Sequence, residues 1–298
     1  MTDAGGRMSG SAGALLEELP AWATLVRAPN PGPMTLTGTN TWVLRDPEAY
    51  AGLVVDPGPL DEAHLAAIVA HGPVAMILVT HGHHDHVEGA ARLRELTGAP
   101  ILAVDPAHGA HPVGHEEPDG GPDGLRGLPE GKPGGGLSGG LGGGGLPEGL
   151  RDGDEIPLTG LTLEVLLTPG HTSDSASFLV NGEAVLTGDT ILGTGSTIVA
   201  HPDGNLTDYL ASLTRLADLG PIPALTGHGP PLADVSAAAN HYLAHRRARL
   251  DQVRAAVEAG ATTPAEVVAV VYSDVDRSLW WAAELTVQAQ LDYLKVTR

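Results

Sequence analysis

Thr80-His81-Gly82-His83-His84-Asp85-His86 packs His81, His83, Asp85 and His86 into six residues. The apolar run before it, residues 74–80, has the length and β-branched content of a buried strand. The stretch after it, 87–97, carries Leu93 and Leu96 at helical spacing. The cluster therefore sits on a strand-to-helix turn, where the backbone is exposed and side chains can converge. Neutral imidazole and carboxylate suit zinc and other first-row divalent ions. Read alone, the same residues also make a polar turn with Asp85 capping the next helix. Three further sites argue against that reading. His171 lies in Thr168-Pro169-Gly170-His171-Thr172, Asp189 in Thr187-Gly188-Asp189-Thr190, and His228 in Thr226-Gly227-His228-Gly229. Each ends an expected strand beside a glycine, which lets the backbone turn sharply under a ligand. Strand ends on one sheet edge face one space, so the set is large enough for two metals.

Around these motifs the pattern repeats in two halves. Strands are expected at 41–45, 52–56, 74–80 and 100–104, with helices at 60–71 and 87–97. In the first helix Leu65, Ile68 and Val69 share a face. The second half offers strands at 161–167, 175–180, 184–187 and 224–226, and a helix at 207–219. Two such halves predict an α/β fold in which two sheets lie between helical layers. Residues 1–14 read as a flexible leader and 15–230 as the main domain. Between about 105 and 150 the chain becomes glycine-rich, including Gly134-Gly135-Gly136 and the run from Gly142 to Gly145. That composition buries too little apolar surface to offset its ordering entropy and reads as a flexible insertion. His108, His111 and His115 within it read as inert loop residues.

Residues 231–298 read as helical. One long helix spans 231–259 and ends at Gly260. Thr263-Pro264-Ala265-Glu266 has the form of a capping box with proline at the first helical position. That helix runs to Tyr272 and another covers 279–294, with Trp280, Trp281, Leu285 and Leu291 expected to pack them together. The result resembles the helical part of a winged-helix module without an obvious wing.

Composition bounds the chemistry. The 298 residues carry 36 Asp plus Glu against 16 Lys plus Arg, a formal charge of -20. That field disfavours unspecific binding to polyanions. Cysteine is absent, which removes disulfides, thiolate nucleophiles and Cys-ligated metals and fits a reducing cytoplasm. No run approaches the roughly 18 apolar residues of a membrane span, and the N-terminus lacks the apolar core of a signal peptide. The expectation is a cytoplasmic protein with no membrane or DNA partner.

The motifs resemble the metallo-β-lactamase superfamily, whose HxHxDH signature is matched by His81, His83, Asp85 and His86. The resemblance runs from about Pro29 to Arg254 and implies an αββα sandwich. It implies one metal held by His81, His83 and His171, a second held by Asp85, His86 and His228, and Asp189 bridging them. Two zinc ions are the default, with iron or manganese also compatible with N/O ligands. Asp56, in Val55-Asp56-Pro57-Gly58, matches the family's strand-end aspartate and would orient a ligand or its turn. The best-known β-lactamases of this fold place a cysteine on the second metal, and this chain has none. Residues 29–42, Gly188-Asp189-Thr190-Ile191-Leu192-Gly193, and Tyr242-Leu243-Ala244-His245-Arg246 with Arg249 are similar to the lactamase-beta-like branch. That glyoxalase II-related branch includes single-strand endoribonucleases and polyketide thioesterases.

The expected activity is therefore hydrolysis by a metal-bridging hydroxide, acting on a small-molecule ester or thioester, with Asp85 also orienting the nucleophile or accepting its proton. Cleavage of single-stranded RNA is the enzyme alternative, supported by the branch and by Arg246, Arg247, Arg249 and Arg254. A low aromatic content and the net charge weigh against it. A metal-dependent regulatory or binding protein is the non-enzyme alternative, weakened by the full ligand set. Asn40 and the loop 194–197 read equally as substrate contacts or as turn chemistry. A homodimer through the C-terminal helices is compatible with the sequence.

Overall fold

The structure, a computed structural model, describes residues 14–107 and 149–297. The expectations for residues 1–13, for most of the glycine-rich insertion and for His108, His111 and His115 lie outside the described residues. Among those described, ten strands form two five-stranded sheets. The first contains β1 (Ala23–Arg27), β2 (Asn40–Leu44), β3 (Gly52–Val55), β4 (Val74–Leu78) and β5 (Ile101–Leu102), in that order. The second runs β10 (Ala224–Thr226), β9 (Ala184–Gly188), β8 (Ala176–Val180), β7 (Leu161–Leu167), β6 (Glu155–Leu158).

Every residue of β2, β3 and β9 is buried. Their mostly apolar sequences suit strands covered on both faces, and the polar side chains among them, Asn40, Thr41 and Thr187, donate to backbone carbonyls. One core lies between the sheets, where Trp42, Leu44, Leu53, Val55 and Leu78 meet Leu163, Val165, Phe178 and Leu186. Outside the first sheet, α1 (Glu62–Val69), α2 (His84–Val87) and α3 (Ala90–Thr97) cover Val54, Ile77 and Val79 through Leu65, Ile68 and Leu93. Outside the second, α4 (Leu206–Ala217) and the long α5 (Val235–Glu258) pack on Val185 and Ala224. The layers are αββα. The short α6 (Pro264–Val271) and α7 (Trp280–Val296) join the same outer cluster through Val267, Val268, Ala283 and Val287.

Local chemistry explains the helix starts. Asp61 accepts from the His64 amide, Asn205 from those of Thr207 and Asp208, and Asp234 from that of Ala237. Thr263 and Glu266 form both halves of the capping box, with Pro264 in the first turn.

Several details differ from expectation. The single helix anticipated over 87–97 is two helices, because the Gly89 amide donates to the Gly58 carbonyl at 2.8 Å and the chain turns there. Leu96 is 44% exposed and Trp281 55% exposed, so neither packs as expected, while Trp280 is partly buried against the outer cluster. Strands β1 and β6 were not anticipated. Both are sheet edges with mixed burial, and β6 carries Pro157, which an edge tolerates.

Candidate metal centre

Strand directions bring the motifs together. β8 is antiparallel to both β7 and β9, and β10 is parallel to β9, so β7, β9 and β10 all run one way. Their ends release His171, Asp189 and His228 at one rim. β4 in the facing sheet releases His81, and the α2 turn carries His83, Asp85 and His86. All seven sequence-predicted residues meet here, while His84 is exposed and lies outside both donor groups.

They form two donor groups. His81, His83, His171 and Asp189 make the first, and Asp85, His86 and His228 the second. In the first, His83 Nδ1 lies 3.0 Å from His81 Nε2 and 3.1 Å from His171 Nε2. In the second, the Nε2 atoms of His86 and His228 are 3.1 Å apart, and His228 Nε2 is 3.1 Å from Asp85 Oδ2. Asp189 reaches both: Oδ2 is 3.8 Å from His171 Nε2 and 3.4 Å from His228 Nε2, and Oδ1 is 3.5 Å from His86 Nε2.

Hydrogen bonds behind the rings decide which nitrogens face inward. Asp56 Oδ2 accepts from Thr80 Oγ1 and from His86 Nδ1, each at 2.8 Å. Thr80 has given its one proton to the bond with Asp56, so His81 Nδ1, 3.0 Å from Thr80 Oγ1, must be the donor there. His171 Nδ1 donates to the Ile198 carbonyl at 2.7 Å. In their neutral forms His81, His86 and His171 therefore turn bare Nε2 lone pairs toward the donor groups. Lone pairs at these distances repel unless a cation sits among them. Ligand atoms about 2.0–2.1 Å from a common tetrahedral ion are themselves about 3.3 Å apart, close to the spacing found here. The Oδ1 atom of Asp189, buried with no hydrogen-bond partner among the described residues, is a further acceptor awaiting a cation. The donor set fits a pair of divalent metals.

The two halves differ electrostatically. Burial and the neighbouring imidazoles hold His81 and His83 below the usual histidine range, despite the nearby carboxylates. Burial also opposes charge on His86 and His228, but Asp85 and Asp189 outweigh it, lifting His228 to about 9 and His86 well above its ordinary value. Asp189 and Asp85 in turn stay ionised despite burial, because His86 and His228 hold both carboxyls far below their usual range. The imidazoles of His81 and His83 thus stay neutral, while Asp85 and Asp189 favour positive charge beside His86 and His228, as protons on those rings or as a bound cation in their place.

The backbone makes room for this. Asp56 holds φ 53°, a left-handed conformation uncommon outside glycine. At Gly227 a Cβ would lie 2.6 Å from Asp189 Oδ1 and 2.9 Å from His86 Cε1, so only glycine fits beneath the donors.

Thr39 was missed by the sequence reading: its Oγ1 donates to Asp85 Oδ2 at 2.9 Å. A threonine 46 residues away carries no local signal of that role. Asn40 does not face the site. It is fully buried and donates to the carbonyls of Thr226 and Gly229, tying β2 to the His228 turn. In the 194–197 loop, Thr197 is buried and its Oγ1 donates to the Asp189 carbonyl at 2.7 Å.

Fold and site together define a family. Residues 34–228 match the metallo-beta-lactamase superfamily and residues 263–296 the beta-lactamase associated winged helix domain. The chain belongs to the metallo-beta-lactamase superfamily of metal-dependent hydrolases. It is 30% identical over 263 residues to the lactamase-like protein vrtG of Penicillium aethiopicum, covering 86% of this chain and 73% of that one. It is 27% identical to the atrochrysone carboxyl ACP thioesterase of Aspergillus fumigatus, covering 82% and 71% of the two chains. Among solved structures, a metallo-beta-lactamase family protein of Thermus thermophilus superposes with a TM-score of 0.68, 26% identity and coverage of 93% and 94%. In the winged-helix region the regular elements are helices, with no strand among the described residues. Among the described residues no helix is long and apolar enough to cross a membrane.

Proposed function

We propose that this chain is a dinuclear hydrolase of esters or thioesters, with His81, His83 and His171 holding one divalent ion, Asp85, His86 and His228 the other, and Asp189 shared. The observation that carries the proposal is the pair of adjacent donor groups with inward lone pairs and a carboxylate reaching both. Two such ions, when bound, lower the pKa of water to about 7 and polarise a substrate oxygen. Zinc is the default for this N/O set, and iron and manganese are chemically compatible.

The chain's own residues supply orientation. Asp85, a quarter exposed at the mouth, is anchored by Thr39 and kept ionised by His86 and His228. Its low proton affinity suits it to accepting a hydrogen bond from the attacking water more than to storing its proton. Neither a serine nor a cysteine nucleophile is needed. The thioesterase among the relatives supports the acyl substrate class.

RNA cleavage finds less support in the arginine cluster, which makes no continuous basic track. Arg246 is buried, Arg249 lies over the Tyr272 ring and Arg254 pairs with Asp251 at 2.6 Å. The test is metal analysis with a side-by-side assay on acyl-thioesters, lactones and labelled single-stranded RNA. Thioester turnover that is lost, with metal, in His83→Ala and Asp189→Ala is the expected result. Unchanged metal content in both variants overturns the ligand assignment, and RNA cleavage without thioester turnover overturns the substrate class.

A further inference from the structure

A cavity of about 290 Å³ opens between the lactamase fold and the C-terminal helices, a size near the lower end of small-molecule sites. Residues 196–198 form one wall, and the same segment holds the metal centre. Ile198 accepts from His171 Nδ1, and Thr197 Oγ1 donates to the Asp189 carbonyl. The cavity is thus one strand of backbone away from the donors.

His245, Arg246 and Arg249 of α5 line it, and no described lining residue is a carboxylate. In a chain of net charge -20 this is an exceptional concentration of donors. Arg246 is 3% exposed. One Nη donates to the Thr197 carbonyl, and the guanidinium lies 5.1 Å from the Tyr209 ring centre. Its Nε is buried and has no hydrogen-bond partner among the described residues. The chain alone therefore leaves the Arg246 guanidinium incompletely satisfied, in a residue that lines the cavity. Arg249 donates to the Val271 carbonyl and stacks 4.4 Å from the Tyr272 ring centre, with no carboxylate partner among the described residues. Met34, Val275, Leu279, Ala282 and Ala283 add apolar surface to the remaining walls, beside the hydroxyls of Ser196 and Thr286.

We propose that this cavity binds an anionic group, a carboxylate or phosphate monoester, carried on a compact apolar body, as the end of the substrate distant from the bond being cleaved. Charge-assisted bonds from two guanidiniums suit either anion, and the apolar walls suit a ring or short chain. The inference rests on the hydrolase reading above and narrows its substrate class.

Calorimetric titration of the metal-loaded full chain with 2-naphthoate, 2-naphthyl phosphate and neutral 2-naphthamide tests it. The anions should bind at least tenfold more tightly than the amide, and their order reports which anion the cavity prefers. Arg249→Gln should erase that charge preference while leaving naphthamide binding unchanged. Thr286→Asp, which sets a carboxylate on the α7 wall, should do the same. Equal binding of naphthoate and naphthamide overturns the proposal, as does a charge preference that survives both substitutions, since anions held by the metals would not sense Arg249. Thioester hydrolysis without charge-selective binding counts against the cavity alone. Charge-selective binding without any hydrolysis counts against the hydrolase reading alone.

Discussion

Asp56 ties the two donor groups together without belonging to either. One carboxylate oxygen accepts from His86 directly and from Thr80, through which it sets the tautomer of His81. The other accepts from the Thr80 amide at 2.8 Å. Asp56→Asn tests this at little backbone cost, because asparagine also tolerates a positive φ. An amide NH₂ facing the Thr80 hydroxyl and the His86 N–H would leave one ring free to turn. The expected outcome is a roughly 10–100-fold loss of metal affinity or activity with near-wild-type circular dichroism, read by metal competition and turnover. Metal affinity equal to wild type would remove Asp56 from this positioning role. Of this arrangement, the aspartate before Pro57-Gly58 was visible in the sequence, because a strand-end turn is local. The Thr80 relay and the Thr39 contact were not, since hydroxyl partners carry no spacing rule.

At the scale of elements, the strand ends bearing ligands were legible because an apolar run followed by glycine is a local pattern. The edge strands β1 and β6 were not, since an edge needs little apolar alternation and is defined by its neighbour. The C-terminal helix α6 was legible from its capping box. Thr263→Ala should cost about 1 kcal/mol and lower the melting temperature by roughly 2–4 °C in a chain of this size, with turnover unchanged. A larger fall, or lost activity, would mean that α6 does more than start a helix. On α5, burial together with Arg246, Arg249 and His241 presses the His245 imidazole down to about 4 from its ordinary 6.5. Between those values the unfolded chain binds the proton and the folded chain does not, so this residue's contribution to stability falls as pH drops from 6.5 to about 4. His245→Gln should therefore lose less melting temperature than wild type between about pH 7 and about pH 4.5. Parallel losses in the two proteins would show that His245 does not titrate this way.

For the whole molecule, the donor groups draw on both sheets, with His81 from the first and His171, Asp189 and His228 from the second. Bound metal would therefore staple two layers otherwise joined by the apolar core around Trp42 and Phe178. Chelation should lower the melting temperature, and added zinc should restore it. Stabilisation is about 4 kcal/mol when free metal stands roughly a thousandfold above its Kd. His83→Ala should show a smaller chelation effect than wild type. A melting temperature indifferent to chelator and zinc would refute the staple.

The linear order of residues was enough to establish the αββα class and to pick out the seven residues that the fold brings together, because strand length, glycine turns and imidazole spacing are short-range properties of the chain. Which nitrogen of each ring faces inward, how Asp189 spans both groups, and why Arg246 is buried beside a cavity without carboxylates were decided by the packing of distant segments. Those features depend on distances across two sheets and the outer helices, and such distances exist only once the chain is folded.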